Sequence, residues 1–444
     1  MYARAVVFYL TFVLVCSNRC YWNNKCSNKH FGSKTIYDEV RGDIRDAPEL
    51  KDCEPVSVWA MIRHGTRHPS SSNLPTMQHA AELKDDIVRR YLEGRGELCA
   101  QDITNLQEWS MHEIIATTPG HLTFEGYKEL RDLGVRFHDH FLPLLQDLDQ
   151  HHFKPTLEQR TIQSAKAFVE GLAQGYLKFE ISNATDRDEI LRPYFYCTKH
   201  NVEVYNGPRS KNELSKYHET PEFQKVLENV QKRTGLERPL SPTNVSGLYD
   251  LCRFLRAYSA LRTSPWCALF SDEELQILEY LNDIRHYYRN GYGSPINQKL
   301  AGPALGGLLE QFESSVQHST KSFTSYFSHD SMIQMIYSAL GLFRDYPEIS
   351  GFERLPDRKW RTSYMTPFAA NFASVLHKCT NETGDINHQV QFFINEKEFH
   401  LCQPRTCSWT EFKDKFEQFR NSDLEFCNIY NSSTTALKSI IVGL

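Results

Sequence analysis

The run Val56-Ser57-Val58-Trp59-Ala60-Met61-Ile62 is apolar enough to form a buried strand, and it stops abruptly at Arg63-His64-Gly65-Thr66-Arg67-His68-Pro69. That junction constrains the chain more than any other feature. A buried strand delivers four cationic or potentially cationic side chains to one point, with Gly65 and Pro69 controlling the backbone. Like charges crowded together cost energy unless an anion offsets them, and strand ends in α/β sheets are where ligands bind. The first expectation is therefore a site for a small anion.

The residue types suit one chemistry. A phosphoryl group in transfer spreads charge over its equatorial oxygens and needs several fixed donors converging on a small volume. Arg63 and Arg67 supply forked donors to such oxygens. Between them, His64 is flanked by permanent cations that disfavour its charged form, which leaves it neutral and nucleophilic at mildly acidic pH. His68 is not needed for this and is read as structural.

Any attraction for anions must be local. The 444 residues carry 50 Lys and Arg against 55 Asp and Glu, a formal charge of -5, so no global field draws the chain to nucleic acid or to anionic membranes. Arg4 followed by the apolar run Ala5 to Val15 reads as a signal peptide over residues 1–17, too short to span a bilayer comfortably. The 12 cysteines are scattered without a C-x-x-C unit, which favours disulfides over a zinc site. Without Cys16 an odd number remains, so one is free or pairs between chains. Sequons stand at Asn183, Asn244, Asn381 and Asn431. The oligomeric state is not set by the sequence.

The pattern along the chain alternates. After the signal segment, residues 18–50 read as a polar leader without expected structure. Helical periodicity marks Gly126 to Leu148, with Leu130, Leu133, Phe137, Phe141, Leu144 and Leu148 on one side and a kink at Pro143. A strand or loop over Pro155 to Gln159 precedes a helix over Ile162 to Leu177. From about Arg187 to Asn290 helical signals dominate, ending in a helix that starts at the capping-box pair Ser271 and Glu274 and stops at Asn290-Gly291. A strand over Ser322 to Phe327, a helix over Ser331 to Leu340 closed by Gly341, and a hairpin over Gln389 to Leu401 turning near Asn395 to Lys397 follow.

Arg63-His64-Gly65-Thr66-Arg67-His68-Pro69 resembles the RHGxRxP signature of the histidine acid phosphatases, the branch of the histidine phosphatase superfamily that forms a phosphohistidine intermediate. Leu122-Thr123-Phe124-Glu125-Gly126 and Leu133-Gly134 are similar to that family's next helix. Gln159-Arg160-Thr161-Ile162-Gln163-Ser164-Ala165 is similar to the segment that carries its third phosphate arginine, and Phe327-Ser328-His329-Asp330 to its second histidine with the adjacent acid. The resemblance implies His64 as nucleophile, Arg63, Arg67, Arg160 and His329 as phosphate holders, and Asp330 as proton donor. It also implies the fold: an α/β core with a central, mostly parallel sheet flanked by helices, and an inserted helical cap. The expected division is core over residues 51–186 and 298–430, cap over 187–297, and a tail over 431–444.

Within the family, Ser264-Pro265-Trp266-Cys267, Leu278-Glu279-Tyr280-Leu281-Asn282-Asp283, Gly291-Tyr292-Gly293 and the stretch from Arg358-Lys359-Trp360-Arg361 to Asn371 resemble the multiple inositol polyphosphate phosphatase branch. Its expected substrate is an anionic, phosphorylated small molecule, and extra cations for it are sought in Lys154, Lys359 and Arg361. No metal or cofactor is implied. Two departures stand out. That branch carries His-Ala-Glu where this chain has His329-Asp330-Ser331, so the donor resembles that of ordinary acid phosphatases and fungal phytases, with Glu353 as a fallback donor. The chain ends Ile441-Val442-Gly443-Leu444 rather than in an endoplasmic-reticulum retrieval tetrapeptide, so a secreted, cell-surface or lysosomal location is expected, with a weak lipid-anchor signal at Ser432-Ser433. The competing readings are a broad-specificity acid phosphatase, a mutase-type transferase and a non-catalytic secreted binding protein.

Overall fold

A computed structural model describes Cys20 and residues 29–115, 117–258 and 264–428. The signal segment, Cys16, Cys26, Asn431 and the tail after residue 428 lie outside the described residues. The apolar run becomes β1 (Cys53–Arg63), buried from Val56 to its end. In chain order the sheet adds β2 (Gln150–Pro155), β3 (Ser322–Ser328), β4 (Asn371–Thr380), β5 (Ile386–Ile394), β6 (Lys397–Phe399) and β7 (Cys407–Ser408), in the spatial order β2-β3-β1-β4-β5-β6 with β7 beside β5. Only β2, β3 and β1 run parallel; β4 to β7 are antiparallel. The sheet expected to be mostly parallel is thus mixed: β4 enters antiparallel beside β1, and β5 and β6 return through short turns rather than crossover helices. One of these is the turn expected near Asn395, where Asn395 and Glu396 both have positive φ.

The strand expected at Pro155 ends there instead. It occupies residues 150–155, and the segment after it opens a helix. The long helix α1 (Phe124–Leu145) is capped by the Thr123 side chain and departs from helical geometry at Phe141, just before Pro143. It packs with α2 (Gln159–Ala173) over Val58, Ala60, Ile62, Phe323 and Phe327 on one face of the sheet. Trp59 and Met61 point to the other face, into a larger core shared with the helical layer.

That layer contains α3 (Pro208–His218), α4 (Pro221–Thr234), α5 (Pro242–Ala257) and α6 (Asp272–Asn290), the last with the expected capping box between Ser271 and Glu274. It also receives helices from before residue 187. Leu74–Ala81 packs against α5, where a Cβ on Gly247 would meet Thr76 O at 2.6 Å, and the Trp109 and Trp266 rings stand 5.0 Å apart. Behind the sheet, α7 (Gly302–His318) precedes β3, and α8 (Asp330–Ala339) follows it.

The leader is a correction. Residues 31 to 46 carry three 3-10 turns and bury Phe31, Ile36, Tyr37 and Ile44. Disulfides join Cys20 to Cys99, Cys53 to Cys379, Cys197 to Cys427, Cys252 to Cys267 and Cys402 to Cys407. Among the described residues, no helix is long and apolar enough to cross a membrane.

Candidate active site

Register brings the two histidines together. In the parallel pair, Arg63 lies opposite Ser328, so the next residue of each strand, His64 and His329, meets across the strand ends with ring centroids 5.5 Å apart. The loop after β1 is held from below by α1. Thr66 N and Oγ1 donate to the Glu129 carboxylate at 2.7 and 2.9 Å, and Thr123 donates to the Thr66 carbonyl. Glycine is required on both sides of that contact, since a Cβ on Gly65 would lie 2.2 Å from Gly126 O.

His64 is buried, and its Nδ1 lies 2.8 Å from the Gly65 carbonyl. A carbonyl only accepts, so Nδ1 carries the proton and Nε2 keeps a free lone pair. Burial first, then Arg160, Arg63, His329 and Arg67, push the imidazole's pKa well down. It is neutral in mild acid.

Three arginines surround it. Arg63 donates from Nη1 to the carbonyls of Ser33 and Thr366 at 2.6 and 2.9 Å, and its Nη2 lies 3.3 Å from Asp330. Arg67 donates to the His68 carbonyl; burial, Arg160 and Arg63 lower its pKa to about 9. Arg160 is aligned by Glu158 at 3.8 Å. The Nε atoms of Arg63 and Arg160 are buried without a hydrogen-bond partner among the described residues. Such donors are costly to bury unless an anion meets them.

His329 stands at the N-cap position of α8 and points Nε2 at Glu158, 2.7 Å away, with Thr156 Oγ1 at 3.2 Å. Burial lowers His329 to about 4 against the pull of Glu158. Burial would raise Glu158, but His329, Arg160 and Arg192 outweigh it and hold the carboxyl at about 2. Asp330 accepts from Ser331 N at 2.9 Å. Burial opposes its ionisation too, yet Arg63, His286, Lys34 and His329 hold it far below the usual carboxylate range.

All six residues expected to be catalytic therefore converge. The three expected binding cations do not. Lys154 is paired with Asp188 at 2.7 Å, Lys359 is exposed, and Arg361 donates to Glu279 at 2.7 Å within a buried network. Each side chain found a carboxylate or solvent, which charge alone could not foretell. Glu353, the fallback donor, sits exposed on a loop, with its carbonyl accepting from the Tyr280 hydroxyl. Sequence reasoning missed Glu158 and Glu129, which hold His329 and the Thr66 loop, and it missed Lys34, which the leader places beside Arg67. Only Glu158 carried a signal, standing two residues before Arg160.

A fold with this pocket belongs to a recognisable class. The chain is a member of branch 2 of the histidine phosphatase superfamily, whose pattern it matches over residues 56–395. It is 30% identical over 437 residues to multiple inositol polyphosphate phosphatase 1 of Drosophila melanogaster, covering 95% of this chain and 91% of that protein. The protein of the same name from Homo sapiens is 25% identical over 446 residues, with 92% and 90% covered. Among solved structures, the Bifidobacterium longum multiple inositol polyphosphate phosphatase in complex with inositol hexasulfate aligns with TM-score 0.70 at 15% identity, covering 88% of this chain and 98% of that one. The phytase from D. castellii aligns with TM-score 0.71 at 16% identity, with 96% and 95% covered.

Proposed function

We propose that this chain is a phosphomonoesterase that removes phosphate from inositol polyphosphates through a phosphohistidine. The observation that carries the reading is the neutral His64, its Nε2 free, inside a clamp of Arg63, Arg67 and Arg160. In the first step Nε2 attacks phosphorus and the bond to the inositol oxygen breaks. The arginines and His329 hold the equatorial oxygens as charge spreads over them. Asp330 gives its proton to the departing alkoxide, a poor leaving group without it. An arriving phosphate competes for the cations that keep Asp330 ionised, so the carboxyl regains a proton in the complex. In the second step water attacks the phosphohistidine, Asp330 takes its proton, and inorganic phosphate leaves with His64 restored.

The substrate class rests on the inositol polyphosphate phosphatases and phytases to which the chain is similar. Five disulfides support passage through an oxidising compartment, in line with the signal segment. A second reading, a broad-specificity acid phosphatase, is favoured by the 26% identity over 394 residues to the thiamine-repressible acid phosphatase pho4 of Schizosaccharomyces pombe. Comparing kcat/KM of the purified protein on inositol hexakisphosphate, 2,3-bisphosphoglycerate and nitrophenyl phosphate separates the two. A clear preference for the inositol substrate is expected; equal values on all three would establish the broad enzyme instead.

A further inference from the structure

The pocket holds one more cationic side chain beside the clamp, and the described residues around it give it no counter-charge. Lys34 comes from the leader and is 9% exposed. Its ammonium donates to Ser33 Oγ at 3.0 Å, and among the described residues no carboxylate forms an ion pair with it. The Phe254 ring lies 5.8 Å from Lys34 Nζ and 5.8 Å from the guanidinium carbon of Arg67, so the two cations flank one ring. Ser33 itself is fixed: its carbonyl accepts from Arg63, and its hydroxyl stands 3.4 Å from His286 Nε2. Burial, then Arg67, Arg253 and Arg63, push the ammonium's pKa well down, while Asp330 pulls the other way. A buried ammonium without a counter-charge costs energy that an anionic ligand offsets.

Its neighbours indicate which anion. Lys34 donates to Ser33 Oγ at 3.0 Å, the Ser33 carbonyl accepts from Arg63, and Arg63 Nη2 lies 3.3 Å from Asp330. Lys34 thus stands on the Asp330 flank of the pocket. Asp330 protonates the departing alcohol in the reaction above, so an anion held on this flank belongs to that alcohol.

We infer that Lys34 binds a second phosphate carried by the departing polyol, beside the one being cleaved. The inference rests on the reading of the chain as an inositol polyphosphate phosphatase and adds a residue that selects for polyphosphorylated substrates. A simple monoester leaves this ammonium unpaired. A polyol with neighbouring phosphates fills both the clamp and Lys34, and the leader becomes part of the specificity pocket.

Inhibition constants test it without relying on turnover of the ligand. Inositol hexasulfate and inorganic phosphate are titrated against nitrophenyl phosphate hydrolysis in the wild type, Lys34→Met and Lys34→Arg. Lys34→Met should weaken hexasulfate about tenfold or more, the loss expected for one charge-assisted contact, and at least about fivefold more than it weakens phosphate. Lys34→Arg should recover most of that loss. Equal weakening of both inhibitors, or none of either, overturns the assignment. Failure of hexasulfate to inhibit the wild type overturns the substrate reading beneath it. If Lys34→Met does not fold, Lys34→Gln, which keeps a polar partner for Ser33, gives the same comparison.

Discussion

Two buried clusters of arginine in this molecule are built on opposite terms. Behind the pocket, Arg358 donates to Asp283 at 2.7 Å and to Glu279 at 3.1 Å, Arg361 donates to Glu279, and Thr362 donates from N and Oγ1 to Asp283. Two cations meet two carboxylates that are both fully buried on α6. In the pocket, Arg63, Arg67, Arg160 and Lys34 crowd together, with Asp330 3.3 Å from Arg63 and Glu158 3.8 Å from Arg160 as the ion pairs among the described residues. The balanced cluster pins the segment around residue 360 to the helical layer. The unbalanced one is left short of negative charge, which a substrate supplies.

That contrast can be broken at its chemical centre first. His64→Ala should abolish turnover, a loss on the order of 10⁴-fold or more for removal of a nucleophile. A labelled phosphoenzyme trapped by alkaline quench should vanish with it; label retained by the variant would remove His64 from its role. Next in size, Asp330→Asn should lower kcat/KM on inositol phosphates by about 10²- to 10⁴-fold and far less on nitrophenyl phosphate, whose leaving group needs no proton. His329→Ala should depress both substrates to a similar extent, because it holds oxygens that both share.

The two clusters themselves separate under paired substitutions. Arg358→Met leaves the buried Asp283 without its cation, while Glu279 keeps Arg361, and should cost about 3 to 5 kcal/mol of stability, read by denaturant unfolding. Arg160→Met should do the reverse, losing activity while stability holds or rises, since it relieves repulsion with Arg63 and Arg67. If both variants destabilise alike, the distinction between the clusters fails.

The smallest effect is one of pH. Burial raises the Glu129 carboxyl to about 7, against the hydrogen bonds from Thr66 that favour its charged form. The native chain therefore holds a proton between the ordinary carboxyl range and about 7 that the unfolded chain has released. Stability from this group is present in acid and lost as pH rises through that window. Glu129→Gln should flatten the decline between pH ~5 and ~7; an unchanged slope would show that Glu129 does not titrate there.

What the sequence made legible was whatever is local. The apolar run into Arg63 and His64, the His329-Asp330 pair after a strand, and the helix signals at Ser271 and Gly341 are each contained within a few residues. Contacts across the chain were not. Lys154 and Arg361 were misjudged because their carboxylate partners, Asp188 and Glu279, are distant in sequence. β4 escaped notice because both of its faces are buried, which erases the alternation that marks a strand. The leader escaped because Phe31, Ile36, Tyr37 and Ile44 follow no helical or strand period; 3-10 turns, not regular elements, bury them.

The leader's anchors also set when the enzyme can exist. Gly42 donates to the Asn395 carbonyl, Lys397 donates to the Val40 carbonyl, and Tyr37 donates to Glu396, which also holds Arg136. The first part of the described chain to leave the ribosome thus waits for nearly the last before it can settle, a closure across more than three hundred residues. A nascent chain already carrying Arg63, His64 and His329 still lacks the turn at Asn395 that anchors Tyr37, Val40 and Gly42, a few residues beyond Ser33 and Lys34. Catalytic competence is then among the final events of folding, and the nascent chain passes most of its synthesis without the pocket that would let it hydrolyse phosphate esters.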